Sequence, residues 1–222
     1  MTLEQNIKGI CSKFGLDFNE FLEDFEVDHV MEMSLFDLEA ICEEYEMDLY
    51  SLLFKAAFIE NSLKKKLEKI KLLILDVDGV MTDGGMTFTA KGDELKRFNT
   101  KDGMGILKLR DTEIELGIIS SGFSSEIVEK RAKMLGIKNC YVGTQTKISI
   151  LQSWIIEKGL NLEQVAMIGD DINDKEVMAA VGIAVCPADA IDDIKAISHV
   201  VLKRRGGQGC IREFIDNYLQ IG

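Results

Sequence analysis

Short apolar runs alternate with helical segments over residues 72–202, and this alternation restricts the fold more than any other feature of the sequence. Runs of this length suit strands that are buried in a parallel sheet, whose neighbours are joined by helical crossovers. The pattern therefore predicts a doubly wound α/β fold. The predicted strands are Leu72–Leu75, Glu115–Ile119, Cys140–Val142, Val165–Ile168 and Gly182–Val185, with Val200–Leu202 as an edge strand. The predicted helices span about 103–111, 124–135, 147–158, 174–180, 190–197 and 210–220.

One segment after the first strand departs from this alternation. Met86–Ala90 and Leu95–Asn99 flank the stretch Lys91–Glu94, which contains Gly92. Two such runs around a glycine-containing turn predict a β-hairpin. We expect the hairpin to act as a small flap beside any site at the end of the first strand.

The N-terminal region has no strand pattern and predicts a separate helical domain. Helix-capping pairs are predicted at Thr2 with Gln5, Asp17 with Glu20 and Ser34 with Asp37, and Asp48 is a further predicted cap. The last helix is expected to continue through the lysine-rich residues 64–69. We therefore predict a small all-helical domain at residues 1–68 and an α/β domain at residues 69–222.

Composition excludes several classes of function. The net charge is −12, and residues 1–60 hold 15 acidic residues against three lysines. An acidic surface repels nucleic-acid phosphates, so a nucleic-acid partner is not expected. Five scattered cysteines without a Cys-x-x-Cys pair predict neither structural zinc nor a disulfide framework. Neither a signal peptide nor a membrane-spanning apolar run is visible, so we predict a cytoplasmic protein without membrane contact.

Polar side chains follow the predicted strands at the points where the strands end. Because the carboxyl ends of parallel strands meet at one edge of a sheet, we expect these side chains to lie together. They are Asp76 and Asp78 after the first strand, Ser120 after the second, Lys147 at a helix start, and Asp170, Asp171 and Asp174 after Val165–Ile168.

These residue types match the needs of phosphoryl transfer. A carboxylate can act as a nucleophile and form an aspartyl-phosphate. Carboxylates also ligate Mg²⁺, and a lysine and a hydroxyl can bind the remaining phosphoryl oxygens. Taken singly, Ser120 could be a turn residue, Lys147 a surface lysine, and Asp170–Asp174 an acidic helix start. Their joint order after apolar strands favours the site.

Residues from about 71 to 220 resemble the haloacid dehalogenase superfamily of aspartyl phosphatases. The greatest resemblance is to small capless members that act on eight- or nine-carbon 2-keto-3-deoxy sugar acid phosphates. The resemblance lies in Asp76-Val-Asp-Gly-Val-Met-Thr-Asp-Gly-Gly, Lys96-Arg-Phe-Asn-Thr-Lys-Asp-Gly, Gly169-Asp-Asp-Ile-Asn-Asp and Arg205-Gly-Gly-Gln-Gly-Cys-Ile-Arg-Glu-Phe.

The resemblance implies a role for each residue of the predicted site. Asp76 would be the nucleophile and a Mg²⁺ ligand. Asp78 would be the general acid and base, with its backbone carbonyl on the metal. Asp170 would be the third metal ligand. Ser120 and Lys147 would hold the phosphoryl group.

The resemblance also implies residues outside this centre. Asp171 and Asp174 would orient metal-bound water or Lys147. Arg131 and the tail residues Arg205, Gly206 and Gly207 would contact the sugar acid. In these capless enzymes a neighbouring subunit completes the site, which predicts a homotetramer.

Two departures from the family pattern leave the substrate and the role of the N-terminal domain open. One is the segment after the second strand, and the other is the helical N-terminal region, which the compact family members lack. Ser120-Ser121-Gly122-Phe123 stands where the relatives carry Thr-Gly-Arg or Thr-Gly-Glu, so the sugar is not fixed. Another small sugar phosphate is the alternative substrate, with the N-terminal helices as a regulatory or partner-binding module. Residues 34–55 also resemble the later helices of helix-turn-helix repressors, but their acidity opposes DNA binding. We expect oligomerisation or partner docking.

Overall fold

The computed structural model describes residues 2–54, 58, 61–122 and 125–219. The chain divides into two compact units, Met1–Lys64 and Lys65–Gly222. The helix before the first strand, α5, spans Asn61–Leu67. It ends earlier than predicted, because the amides of Lys69 and Ile70 bond back in tight turns instead of extending the helix.

The described part of the N-terminal unit is helical. Its helices are α1 (Thr2–Phe14), α2 (Phe18–Asp24), α3 (Leu35–Glu44) and α4 (Leu49–Phe54), with a 3-10 turn at Val30–Glu32. Their apolar faces meet in a small core whose most buried members are Ile7, Ile10, Ile41 and Leu52.

Side-chain caps fix the starts of several of these helices. Asp17 accepts hydrogen bonds from two amides of the first turn of α2, and Ser34 forms a reciprocal capping box with Asp37. Asp48 accepts from the amide of Ser51 at 2.9 Å. These three predicted caps are confirmed. Thr2 lies inside α1 instead of preceding it, so the prediction that it caps this helix is wrong.

Six parallel strands form the sheet of the second unit, in the order β5-β4-β1-β6-β7-β8. They are β1 (Leu72–Leu75), β4 (Glu115–Ser120), β5 (Asn139–Val142), β6 (Val165–Ile168), β7 (Ile183–Cys186) and β8 (Val200–Val201). The chain proceeds from β1 to one side through β4 and β5, and then to the other side from β6 to β8. The predicted doubly wound sheet is confirmed, and the reversal of strand order places a crevice at the carboxyl ends of the central strands.

Helices cover the sheet and close its core. They are α6 (Thr100–Lys108), α7 (Ser125–Leu135), α8 (Lys147–Lys158), α9 (Lys175–Ala180), α10 (Asp192–Ile197) and α11 (Cys210–Asn217). α6 begins earlier than predicted because the Asn99 side chain accepts a hydrogen bond from the amide of Lys101 at 2.8 Å and caps the helix there. The predicted ends at residues 124 and 220 lie outside the described residues. No helix of the described chain is long and apolar enough to cross a membrane.

The predicted hairpin is present but shorter than expected. Its strands, β2 (Thr87–Phe88) and β3 (Glu94–Leu95), pair antiparallel. Thr89 closes the turn, since its amide bonds the carbonyl of Asp93 at 2.8 Å and its hydroxyl bonds the Asp93 carboxylate at 2.9 Å. Gly92 adopts a φ of 90° in this turn, a conformation that glycine allows without strain.

Candidate active site

The turn after β1 brings two acidic segments together. β1 and β6 pair in register with Leu75 opposite Ile168, so Asp76 and Asp170 leave the sheet at the same edge. Gly79 follows at a φ of 88°, and a Cβ atom there would overlap the Asp170 carboxylate. Glycine at position 79 is therefore needed both for the turn and for the close approach of Asp170.

Lys147 lies between two carboxylates at the start of α8. Its Nζ is 2.6 Å from Asp76 Oδ1 and 2.6 Å from Asp174 Oδ1, and all three side chains are buried. The other oxygen of Asp174 accepts from the amides of Asp170 at 3.0 Å and Asp171 at 3.4 Å. Asp174 therefore fixes the ammonium group opposite Asp76 and at the same time shapes the Asp170–Asp171 loop.

The electrostatics of this centre favour a cation. Burial, and then the neighbouring charge of Asp174, raise the pKa of Asp76 to about 7, although Lys147 opposes the shift. Burial and the charges of Asp76 and Asp174 raise the pKa of Asp170 to about 8. Asp170 Oδ1 is buried and makes no hydrogen bond to any described residue. A buried carboxylate oxygen without a partner beside other carboxylates suits a hard divalent cation.

Two of three clustered carboxylates are available to such a cation. Ligand atoms of Asp76, Asp170 and Asp174 lie within 4.8 Å of one another. Asp174 already uses Oδ1 for Lys147 and Oδ2 for two backbone amides. Asp76 and Asp170 therefore fit the metal-ligand role, which the resemblance implies for them, better than Asp174 does.

Asp78 is held by a lysine that the sequence analysis did not assign to the site. Lys96 Nζ lies 2.6 Å from Asp78 Oδ1 and 2.8 Å from a Glu94 carboxylate oxygen. Thr82 Oγ1 is 3.3 Å from the same Asp78 oxygen. Burial works against the charged form of Lys96, yet the hydrogen bonds to Asp78 and Glu94 leave its pKa raised. Successive side chains of an extended segment point to opposite faces, so Glu94 and Lys96, which flank the exposed Leu95, share a face. This alternation was the sequence signal that could have paired Lys96 with Glu94.

Ser120 and Asp171 occupy different environments. Ser120 is buried at the end of β4, and its Oγ accepts a hydrogen bond from the amide of Gly122 at 3.3 Å. Phe123, in the same segment, lies outside the described residues. Asp171 is exposed and accepts from the amide of Ile172 at 2.6 Å. The contact to Lys147 that the sequence analysis shared between Asp171 and Asp174 is therefore made by Asp174.

Curated relatives match most of the length of this chain. The 3-deoxy-D-manno-octulosonate 8-phosphate phosphatase of Haemophilus influenzae is 40% identical over 159 residues, which is 71% of this chain and 87% of the relative. The chain belongs to this family of haloacid dehalogenase-like phosphatases. The Yersinia pestis enzyme of the same name is 39% identical over 158 residues, or 71% of this chain and 84% of that protein. A family model described as haloacid dehalogenase-like hydrolase matches residues 140–212.

Solved structures of this phosphatase family confirm the fold. The Yersinia pestis 3-deoxy-D-manno-octulosonate 8-phosphate phosphatase superposes with a TM-score of 0.70 at 38% identity, covering 74% of this chain and 88% of that one. The enzyme of the same name from Moraxella catarrhalis, in complex with magnesium ion, phosphate ion and a KDO molecule, has a TM-score of 0.70 at 31% identity. It covers 73% of this chain and 93% of that one. The chain is thus a phosphoric monoester hydrolase of the haloacid dehalogenase type.

The glycine-rich tail of this phosphatase packs against its own β1 turn. The Gly207 amide donates to the Val80 carbonyl at 2.9 Å. A Cβ atom at Gly206 would overlap the Gly79 carbonyl. Arg205 is exposed, and its Nε donates to Asp189 Oδ2 at 3.1 Å. Of the three predicted tail residues, the two glycines therefore allow close backbone packing, and Arg205 presents a side chain.

A buried carboxylate that the sequence analysis missed fastens this tail. Asp102 accepts from the amides of Gly209 at 3.1 Å and Arg212 at 2.8 Å, so it caps α11 from α6. Burial raises its pKa, and these amide hydrogen bonds oppose the shift. Asn99 Nδ2 also donates to the Gly207 carbonyl at 2.9 Å. The start of α6 thereby fixes the tail beside the site.

Arg131 belongs to α7, and its side chain reaches the start of α6. Its Nη2 donates to the Asn99 carbonyl at 3.3 Å, and its guanidinium lies 5.5 Å from the centroid of the Phe98 ring. Arg131 Nε is buried and makes no hydrogen bond within the described part of the chain. The structure thus brings Arg131 to the α6 segment that also holds the tail.

Proposed function

We propose that the chain is a Mg²⁺-dependent phosphatase that hydrolyses the phosphate monoester of an eight- or nine-carbon 2-keto-3-deoxy sugar acid. The observation that carries the proposal is the buried ammonium group of Lys147 between Asp76 and Asp174, beside the unpartnered oxygen of Asp170. The named activity of the relatives, and the magnesium, phosphate and KDO held by the Moraxella catarrhalis enzyme, support the substrate and the metal.

Asp76 is the proposed nucleophile. One of its carboxylate oxygens attacks phosphorus, forming an aspartyl-phosphate as the bond to the sugar oxygen breaks. Asp78 gives a proton to that departing oxygen. In the second step Asp78 takes a proton from water, whose oxygen attacks phosphorus and breaks the bond to Asp76. The products are the free sugar acid and inorganic phosphate, and both carboxyl groups return to their initial states.

The metal and the polar side chains share the charge of the phosphoryl group. The carboxylates of Asp76 and Asp170 and the backbone carbonyl of Asp78 would hold Mg²⁺. When bound, the ion supplies positive charge against the phosphoryl oxygens. Lys147 adds a second, fixed positive charge, and the Ser120 hydroxyl offers a hydrogen bond. Asp174 acts through Lys147, whose position it sets.

The sugar acid needs contacts beyond those of the proposed catalytic centre. Between β1 and β4 the described chain contains the turn Val77–Met81, the short hairpin, α6 and a 3-10 turn, and no cap domain. We propose that a homotetramer completes the site with a neighbour's surface, and that Arg131 and Arg205 contact the carboxylate. Light scattering at assay concentration tests this assembly, and a fully active monomer would oppose it.

A second candidate substrate is another small sugar phosphate. The observation that favours it is the segment Ser120-Ser121-Gly122-Phe123, which has neither the arginine nor the glutamate that the resemblance leads one to expect there. In that case the acidic N-terminal helices would serve as a regulatory or partner-binding module. In either case we propose that the N-terminal unit mediates oligomerisation or partner docking.

Phosphate release from a panel of sugar phosphates tests the proposed function. The panel contains 3-deoxy-D-manno-octulosonate 8-phosphate, a nine-carbon 2-keto acid 9-phosphate and common hexose phosphates, each with Mg²⁺ and with chelator. We expect the highest kcat/KM on one of the 2-keto acids, only with Mg²⁺, and no release by Asp76→Asn. Equal turnover of all esters would favour the broader substrate, and turnover by Asp76→Asn would refute the mechanism.

A further inference from the structure

Lys96 buries its side chain although the hairpin that carries it is exposed. Its side chain is only 5% exposed, whereas Phe88 and Leu95 on the same hairpin are 56% and 55% exposed. Lys91 at the hairpin turn is also exposed. A long cationic side chain loses rotamer freedom when it is fixed in this way, so the contacts that hold it must offset that cost.

Two carboxylates hold the Lys96 ammonium group. Asp78 Oδ1 lies at 2.6 Å and Glu94 Oε1 at 2.8 Å, and the Glu94 side chain is itself 9% exposed. Charge-assisted hydrogen bonds of this length are stronger than neutral ones. Because Glu94 belongs to the flap strand β3 and Asp78 to the turn after β1, Lys96 ties the flap to the proton-transfer group.

The contacts to Asp78 fall on a single oxygen. Both Lys96 Nζ and Thr82 Oγ1 lie within hydrogen-bond distance of Oδ1. A carboxyl group whose Oδ1 accepts from a fixed ammonium group cannot rotate freely about its terminal bond. Oδ2 is then the carboxylate oxygen of Asp78 that the ammonium group does not occupy.

We propose that Lys96 is a positioning residue for proton transfer, which fixes Asp78 through Oδ1 so that Oδ2 serves the leaving group and the attacking water. The proposal rests on the proposed phosphatase function. In the first step the Oδ2 proton passes to the sugar oxygen as its bond to phosphorus breaks. In the second step Oδ2 takes a proton from the attacking water. Lys96 keeps its protons throughout and forms no covalent bond.

The dependence of rate on the leaving group tests this proposal. Full-length wild type, Lys96→Met, Asp78→Asn and the double variant are assayed with saturating Mg²⁺ on the best sugar phosphate and on p-nitrophenyl phosphate. Lys91→Met is the matched control, because it removes an exposed lysine from the same hairpin. Nitrophenolate leaves without a proton, so the first step has little need of Asp78 on this ester, whereas the second step is common to both esters.

We expect Lys96→Met to lower kcat/KM, which reports the first step, by about 10- to 100-fold on the sugar phosphate and by less than about 3-fold on p-nitrophenyl phosphate. In the Asp78→Asn background the same change is expected to cost less than about 2-fold, since there is no longer a proton to position. Lys91→Met is expected to match wild type on both esters.

Three results would overturn the assignment. The first is an equal loss of kcat/KM on the two esters. The second is multiplicative losses of kcat/KM in the double variant. The third is a raised KM for the sugar acid with kcat unchanged, which would make Lys96 a substrate-binding residue. If Lys96→Met does not fold because Glu94 loses its contact with Lys96, Lys96→Met/Glu94→Gln removes both charges and the same comparison applies. Failure of wild type to hydrolyse any ester would refute the proposed function instead.

Discussion

Replacing Lys147 with methionine tests the electrostatic account of the site. The substitution keeps the length of the side chain but removes the charge between Asp76 and Asp174. Removing one partner from a buried ion pair costs about 3–5 kcal/mol when the remaining charges stay in place. Here the cost depends on pH, because the raised pKa of Asp76 allows this carboxyl group to become neutral near pH 7.

The direction of the pH dependence follows from proton binding. An unfolded aspartate releases its proton near pH 3.8, whereas folded Asp76 keeps it up to about pH 7. Asp76 therefore makes metal-free wild type lose stability as the pH rises from about 4 to about 7, and its contribution then levels off. Without Lys147 the pKa of Asp76 rises further, so the variant continues to lose stability above pH 7. The difference in unfolding free energy should grow by about 1.4 kcal/mol per pH unit there.

Urea unfolding in chelator, followed by tryptophan fluorescence at pH 6 and pH 8.5, measures this difference. The chain has a single tryptophan, Trp154, which lies on α8 with Lys147 and reports on the α/β unit. Lys158→Met on the same helix is the control, since it removes an ion pair with the exposed Glu115 at 2.7 Å. That loss should stay below about 1 kcal/mol at both pH values. A Lys147→Met loss that is equal at pH 6 and pH 8.5 would refute the reasoning.

Three further predictions concern turnover and the metal. Asp76→Asn should lower kcat by about 10⁴-fold or more, because an amide is not a nucleophile. The unfolding midpoint followed by Trp154 fluorescence should be kept. Near-normal activity would exclude the aspartyl-phosphate. Chelation should stop turnover, and Mg²⁺ should raise the unfolding midpoint more at pH 8 than at pH 6. The reason is that Asp76 and Asp170, with pKa values of about 7 and about 8, must lose their protons to bind the ion. An equal rise at both pH values would oppose this. Arg205→Met should lower kcat/KM for the sugar acid phosphate by about tenfold but leave small esters unchanged, because an arginine suits a carboxylate; equal losses would remove its assigned role.

A substitution at Arg205 tests the tail without removing α11, which a truncation would remove as well. A truncation after Leu202 would remove the tail arginine, but it would also remove α11. Ile211 and Phe214 of this helix are fully buried, so the truncated chain would lose part of its core. A single substitution at an exposed side chain separates substrate contact from folding.

The central strands and the order of the site residues could be predicted from the sequence. Leu72–Leu75 and Val165–Ile168 match the observed strands because both are buried along their whole length, so their apolar runs have sharp ends. Parallel pairing then requires that Asp76 and Asp170 meet at one edge. The positions of these carboxylates follow from strand order alone.

The remaining contacts depend on tertiary packing. Asp102 caps α11 from more than a hundred positions away in the chain, and no local pattern marks such a pair. Lys96 contacts Asp78 across 18 positions of the chain, so this contact depends on how the hairpin packs against the turn after β1. α6 begins earlier than predicted because Asn99 caps it, and an asparagine followed by threonine is a weak local signal for a helix start. These are the contacts that set the orientation of the proposed catalytic groups.

The stereochemistry of phosphoryl transfer tests the central claim that Asp76 carries the phosphoryl group. A phosphorothioate monoester of the best substrate, chiral through oxygen isotopes at phosphorus, is hydrolysed in isotopically labelled water, and the configuration of the released thiophosphate is determined. Each in-line displacement inverts phosphorus, so attack by Asp76 followed by attack by water predicts net retention. Net inversion would show a single direct attack by water and would contradict the aspartyl-phosphate mechanism.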